Sequence, residues 1–150
     1  MVLTEEIKEY IDKSVLCWLA TVSEDGMPNV SPKECFNYFG SENIIVANIA
    51  SPQSVKNIKS NPNICLSFID IFEQMGYQIK GKAEIIGKKN SLFLEMESVL
   101  TKMTGGKYPF STITYISPEK VKPIIAPKYV LYPETTVKDQ IESAKKTYGI

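Results

Sequence analysis

Polar and apolar residues alternate along much of the chain, with the period of two that predicts β-strands having one buried face. The alternation is clearest over residues 63–71 and 76–86, where isoleucine, leucine, phenylalanine and tyrosine recur at every second position. Residues 43–48 are instead apolar almost throughout, as expected of a strand that is buried on both faces. Further strands are predicted over residues 14–22, 28–38, 111–116 and 120–125.

Helical spacing of apolar residues marks four other segments. Residues 4–12 have Thr4 at the N-cap position and place Ile7, Tyr10 and Ile11 on one face. A second helix begins at Ser51-Pro52, a strong start signal, and ends before Pro62, because the residue before a proline is disfavoured in the α conformation. Further helices are predicted over residues 90–103, ending near Gly105-Gly106, and over residues 136–147.

Short links between the predicted strands favour an antiparallel sheet. Asp25-Gly26 predicts a tight hairpin turn, because both residue types accept positive φ angles at little cost, and residues 40–43 predict a second turn. Helices inserted singly between strands favour a sheet that closes into a small barrel with the helices packed outside it. We therefore expect a mainly β fold with flanking helices, in one domain over residues 1–150.

Composition narrows the possible functions. Seventeen basic residues balance 17 acidic ones, so a general electrostatic attraction to nucleic acid has no support. Apolar runs are too short to span a membrane and the N-terminal residues do not resemble a signal peptide, so we expect a cytoplasmic protein. The chain has no histidine, which excludes a Ser-His-Asp triad, an imidazole zinc site and His-ligated haem.

The three cysteines, Cys17, Cys35 and Cys65, have no metal-ligand spacing, and we interpret them as buried free thiols and expect no metal site. If the protein is an enzyme, its chemistry is therefore expected to come from a bound cofactor.

The predicted strand-to-helix junction at residues 47–57 is the best candidate site. Free backbone N–H groups and the helix dipole make a helix start a binding place for phosphate. Ser51 and Ser54 add hydroxyl groups there, Lys56 adds a cation, and Asn57 adds an amide. The alternative is that Ser51 only caps the helix and that Lys56 is a solvated surface residue.

A second candidate is the row Asn29, Ser31 and Lys33, which alternation places on one face of a strand, opposite Val30 and Pro32. Lys33 could stabilise an electron-rich ring atom or an anionic substrate. The alternative is a solvated strand face.

Two weaker signals are better explained by local structure. Residues 104–107 resemble the end of a phosphate-binding loop but lack its earlier glycine, so they are interpreted as a helix C-cap. Asp70 and Glu73 lack partners for catalysis or metal binding and predict a polar turn.

Taken together and in order, these segments resemble the pyridoxamine-phosphate-oxidase-like family of FMN-binding split barrels. The similarity includes the hairpin over residues 18–32, the strand-helix-strand over residues 44–68 with Ser51 and Lys56, and the run that begins at Gly81. The resemblance implies a six-stranded antiparallel split β-barrel. It also implies a homodimer that holds FMN at the subunit interface.

The resemblance also implies roles for individual residues. The FMN phosphate would be bound by Ser51, Ser54, Lys56 and Asn57, and the ribityl chain would lie along Asn48 and Ile49. The isoalloxazine ring would be faced by Asn29, Val30, Ser31, Pro32 and Lys33. The ring pocket would be closed by Tyr77 and Lys80 of either subunit.

The implied function is an FMN-dependent oxidoreductase of unknown small-molecule substrate, with hydride transfer through the flavin N5 atom. The chain departs from true pyridoxamine-phosphate oxidases where they carry an Arg-x-Val-Leu-Leu-Lys strand, since it has Ser31-Pro32-Lys33-Glu34 there. This departure argues against activity on pyridoxamine phosphate. The alternatives are a deazaflavin-dependent reductase, a flavin-binding carrier or sensor without turnover, and a split-barrel dimer without a cofactor.

Overall fold

A computed structural model describes all residues from Met1 to Ile150. Seven strands and five helices succeed one another along the chain. In chain order they are α1 (Glu5–Lys13), β1 (Cys17–Val22), β2 (Pro28–Lys33), β3 (Phe36–Phe39), β4 (Asn43–Ala47), α2 (Pro52–Ser60), β5 (Asn63–Asp70), β6 (Met75–Gly87), α3 (Phe93–Thr104), β7 (Thr112–Ile125), α4 (Pro127–Leu131) and α5 (Val137–Tyr148). No helix is both long enough and apolar enough to cross a membrane.

All seven strands form one antiparallel sheet in the order β2-β1-β5-β6-β7-β4-β3. The sheet curves strongly. This curvature brings the ring centroids of Phe36, in the edge strand β3, and Phe68, in β5, to within 6.2 Å of each other across the interior. Strands β2 and β3 form the two edges of the sheet, yet only Glu34 and Cys35 separate them in the chain. The result is the split barrel with flanking helices that the sequence predicted, with seven strands in place of six.

Two clusters of buried apolar residues lie on opposite sides of this sheet. The larger one fills the barrel and includes Ile7 and Ile11 of α1 and Ile58 of α2. The smaller one lies beneath α3, whose Phe93, Met96 and Leu100 pack on the outer side of the sheet. Strand β4 contributes to both clusters, with Ile44 and Val46 in the larger and Ile45 and Ala47 in the smaller. This confirms the prediction that the apolar run at 43–48 is buried on both faces.

Several predicted boundaries were wrong near the first hairpin. Ser14 ends α1, since its backbone N–H and its hydroxyl both bond back to the carbonyl of Tyr10, so the first strand begins only at Cys17. The predicted strand over residues 28–38 is two strands, because Lys33 pairs with β1 whereas Phe36 pairs with β4. The hairpin turn is looser than predicted, with five residues between β1 and β2 and a positive φ at Gly26 but not at Asp25.

Later boundaries also differ. The two strands predicted over residues 111–116 and 120–125 form the single strand β7, which passes through Pro118 at a bulge: Gly81 pairs with Pro118 and Lys80 with Lys120, so Glu119 of β7 has no partner in β6. A proline cannot donate to a sheet ladder, and such an irregularity accommodates it. Helix α3 begins at Phe93, because Asn90 forms a turn by accepting from the Leu92 N–H. Helix α4 was not predicted.

The interpretation of the weaker signals is confirmed. Gly105 ends α3 in the left-handed conformation, with a φ of 64°. Asp70 accepts hydrogen bonds from the backbone N–H groups of Phe72 and Glu73, as a polar turn requires. Glu73 in turn accepts hydrogen bonds from Tyr10 and Lys13, so that it fastens α1 to this turn.

Candidate functional site

The junction between β4 and α2 has an unusual backbone. Ala50 adopts a φ of +50°, in the left-handed region that side chains other than glycine rarely occupy. Ser51 follows as the N-cap of α2, but its side chain makes no capping hydrogen bond. Its Oγ is fully buried and has no hydrogen-bond partner, the one buried side-chain oxygen or nitrogen in the molecule left in this state. A buried hydroxyl without a partner is costly, so the arrangement fits a hydroxyl that bonds to a ligand.

The first turn of α2 is correspondingly free to bind an anion. Because Ser51 does not cap the helix through its side chain, the backbone N–H groups of Gln53 and Ser54 have no such acceptor. The turn contains no acidic residue. Lys56 is exposed, and the three ion pairs of the structure all involve other residues. Of the two interpretations of Ser51, the structure therefore contradicts simple side-chain capping.

Two asparagines predicted to bind the cofactor make hydrogen bonds inside the protein. Asn57 Nδ2 donates to Thr21 Oγ1 at 2.9 Å, and its Oδ1 accepts from Gln53 Nε2 at 2.8 Å. Asn48 Nδ2 donates to Thr112 Oγ1 at 3.1 Å, while its Oδ1 accepts from Thr114 Oγ1 at 2.7 Å. These bonds hold α2 against β1 and fix the end of β4 against β7, so both side chains support the junction.

Strand β2 lies beside this junction. Asn29, Ser31 and Lys33 share one face as predicted, with Asn29 Nδ2 3.4 Å from Ser31 Oγ. The hydroxyls of Ser31 and of the buried Ser54 lie 3.5 Å apart, so the row on β2 reaches the first turn of α2. Val30 and Pro32 are exposed on the opposite face. Val30 lines none of the clefts near the junction, whereas Pro32 borders the same cleft as Lys33.

Lys33 is buried, with 7% of its surface exposed. It has no acidic partner, and burial lowers its pKa from the usual lysine value. It lies opposite Cys17 across the β1–β2 ladder. Together with Pro32 and Ile49 it lines a mainly apolar cleft of about 580 Å³. A lysine in such a place can stabilise negative charge more strongly than a solvated lysine can.

Two more clefts flank α2. The first, here called the hairpin cleft, has a volume of about 800 Å³ and runs between the β1–β2 turn and α2, lined by Asn29, Lys56 and Asn57 among others. The second, here called the junction cleft, lies on the other side of the helix and is lined by Asn48, Ala50, Ser51, Pro52, Val55, Lys56, Lys59 and Thr112. Lys56 lines both, so the two clefts adjoin at the middle of α2.

Two residues that were predicted to close the ring pocket lie away from the junction in the structure. Tyr77 packs inside the barrel, with its ring 5.9 Å from that of Tyr10. Lys80 lies on the outward face of β6, opposite Cys65 and Lys120. Neither lines any of the three clefts. The subunit itself therefore does not bring them to the junction, and a role in closing the pocket stays a prediction about a second subunit.

Several residues that shape the site were not assigned from the sequence. Gln53 and Lys59 were not assigned, although the helical spacings Gln53–Asn57 and Lys56–Lys59 place these pairs on common faces. Thr21, Thr112 and Thr114 could not be assigned from spacing, because their partners come from distant parts of the chain.

Fold and junction together define an antiparallel split-barrel protein with an unpartnered serine at the start of its central helix. A family model described as pyridoxamine 5'-phosphate oxidase matches residues 3–131. The chain belongs to that family.

Other proteins are similar to this chain in sequence or fold. The uncharacterised protein MJ0282 of Methanocaldococcus jannaschii is 32% identical over 84 residues, so that the match spans 55% of each chain, about half the length of that relative. A crystal structure of HupZ from Group A Streptococcus is 25% identical, with a TM-score of 0.71 over 83% of this chain and 95% of the other. An FMN-binding protein from Syntrophomonas wolfei is 16% identical and shares the fold, with a TM-score of 0.67 over 79% of this chain and 84% of the other.

Proposed function

We propose that this protein binds FMN and acts as an oxidoreductase on a small molecule. The observation that carries the proposal is the buried, unpartnered Oγ of Ser51 at the start of α2. A phosphate group there would satisfy that hydroxyl and the free N–H groups of the first turn, while Lys56 would balance its charge. Membership of the pyridoxamine 5'-phosphate oxidase family and the fold shared with an FMN-binding protein support the same conclusion.

The surrounding residues divide into ligands and supports. Ser51 and Lys56 would bind the phosphate. Ser54 lies buried in the same helix turn, next to Ser31. Asn48 and Asn57 would act through the hydrogen bonds that fix the junction, although the amides themselves were predicted as ligands. Ser31 and Lys33 would face the flavin ring, where the ammonium group of Lys33 would stabilise negative charge on the ring or on a bound substrate. The flavin would supply the hydride chemistry.

We further propose that two copies associate through the outward face of β1 and β2. Trp18 and Val30 are 48% and 57% exposed there, and Pro32 lies directly opposite Trp18. No helix packs over these residues, and exposed apolar patches of this kind mark interaction sites. A second copy would bring further residues, such as Lys80 on the outward face of β6, toward the flavin, whereas Tyr77 packs inside its own barrel.

The direct test is flavin binding by the purified protein. Its absorbance spectrum distinguishes bound FMN from a deazaflavin and from a colourless, cofactor-free barrel. Titration with FMN should then show that Ser51→Ala combined with Lys56→Gln weakens binding by about 2–4 kcal/mol, because a hydrogen bond and a charge contact are lost together. Lys89→Gln, a change at an exposed lysine in the β6–α3 turn, is the matched control and should leave the affinity unchanged.

Equal affinities for the double variant and the control would show that the phosphate binds elsewhere. Turnover with a reduced nicotinamide donor then separates the enzyme from a carrier or sensor. A protein that binds FMN but never oxidises the donor would contradict the oxidoreductase proposal and leave the binding proposal standing.

A further inference from the structure

The junction cleft extends beyond the group that a single phosphate needs. One stripe of α2 lines it from the first turn to the last, at the helical spacing Pro52, Val55, Lys56 and Lys59. Across the cleft lie Asn48, Ala50 and Thr112. A monophosphate bound by Ser51 would lie at the end of the cleft nearest the helix start, whereas Lys59 is eight residues further along the helix, about 12 Å away along its axis.

Lys56 and Lys59 make no ion pair in the structure, although Lys56 also lines the hairpin cleft, where Glu24 and Asp25 lie. Residues three apart on a helix are neighbours, so the two ammonium groups repel each other. Helix α2 contains no aspartate or glutamate, and neither lysine takes part in any of the three ion pairs. No acidic residue lines the junction cleft. The α2 wall of this cleft therefore carries two positive charges, at Lys56 and Lys59, and no negative one.

We propose that the junction cleft binds a second anionic group of the cofactor, beside Lys59. The ligand class is a flavin nucleotide whose phosphate carries a further charged extension, of which the diphosphate of FAD is the simplest case. The proposal rests on the flavin site proposed above and goes beyond it, because FMN alone gives Lys59 no partner. The buried Ser51 hydroxyl marks the position of the first phosphate, and Lys59 marks the position of the second anionic group.

Calorimetric titration of the full chain with FMN, FAD and inorganic pyrophosphate tests this assignment in the wild type, in Lys59→Gln and in the control Lys89→Gln. The wild type should bind FAD at least as tightly as FMN. Lys59→Gln should weaken FAD and pyrophosphate by roughly three- to tenfold, as expected for loss of one exposed charge contact, and FMN by less than about twofold. The control should resemble the wild type for all three ligands.

Each other outcome has a definite meaning. An equal loss of FMN and FAD affinity in Lys59→Gln, no loss for either, or exclusion of FAD by the wild type would overturn the second anion site while leaving FMN binding intact. If the wild type binds neither flavin but binds pyrophosphate in a Lys59-dependent way, the flavin function fails and the two-anion site stands. Lys59 is exposed, so its replacement is not expected to disturb folding, which circular dichroism can verify.

Discussion

A single pair of buried polar residues helps to fix the position of α2 against the sheet. Thr21 is completely buried, and its hydroxyl accepts a hydrogen bond from the equally buried amide of Asn57. This bond joins the end of β1 to the middle of the helix whose first turn forms the candidate site. A small hydroxylated residue in a strand has several explanations, and only the folded chain shows which one applies.

Thr21→Val removes the hydroxyl and keeps the shape of the side chain. It leaves the Asn57 amide buried with one donor unpaired, so we expect the free energy of unfolding to fall by about 1–3 kcal/mol. Thr21→Ser retains the hydroxyl and loses only a methyl group. Urea denaturation should place the serine variant nearer the wild type, and the reverse order would show that packing of the methyl group matters more than the hydrogen bond.

At the residue scale, the sequence identified chemical types better than contacts. Ser51 and Lys56 were recognisable because a helix start, a hydroxyl and a cation are neighbours in the chain. The absence of a capping bond at Ser51 accompanies backbone angles of φ −133° and ψ 57° at Ser51 and a φ of +50° at Ala50, and no pattern of residue types reveals those angles. Asn48 was assigned to a ligand from the family resemblance, and its actual partners, Thr112 and Thr114, are more than 60 residues away in the chain, where spacing does not reveal them.

At the scale of elements, alternation and caps predicted most of the strands and helices. Strand boundaries were predicted wrongly where the chain changes its pairing partner, as between Lys33 and Phe36, and where a strand is irregular, as at Pro118. These positions depend on which strands are neighbours in the sheet. Periodicity within one strand does not contain that information.

Glycines of β6 provide a test of this sheet. A Cβ added at Gly81 would lie 2.2 Å from the carbonyl oxygen of Ser117, and one added at Gly76 would lie 1.9 Å from that of Phe68. Both contacts are with backbone, so Gly81→Ala and Gly76→Ala should each destabilise the fold by about 1–3 kcal/mol or more, measured by thermal or urea unfolding.

Gly87→Ala is the matched control in the same strand, since nothing lies within 4 Å of its added Cβ. It should change stability little. Comparable losses at all three positions would mean that strand flexibility, and not close approach of the neighbouring backbone, explains the glycines.

At the scale of the whole molecule, the order of segments made the family recognisable. None of the segments is specific alone, but hairpin, helix start and subsequent strands occur in the sequence order that the split barrel requires. Subunit association is different, because the apolar face of β1 and β2 is formed by residues that alternate with buried ones and are not contiguous in the chain.

If that face joins two copies, Val30→Glu should yield a monomer, because a buried carboxylate without a partner opposes association. Sedimentation equilibrium measures the change against a dimeric wild type. Leu94→Glu is the control, since Leu94 is 75% exposed on α3, away from this face. A monomeric wild type, or a dimer that survives Val30→Glu, would contradict the proposed interface.

The connection between β2 and β3 also determines how the barrel can open. Strand β2 pairs only with β1, and β3 pairs only with β4, so no ladder of backbone hydrogen bonds joins the two edges of the sheet. Only the covalent chain through Glu34 and Cys35 links them directly. Separating the edges therefore breaks no ladder of backbone hydrogen bonds, so a ligand admitted along this line would leave every strand pair of the sheet intact.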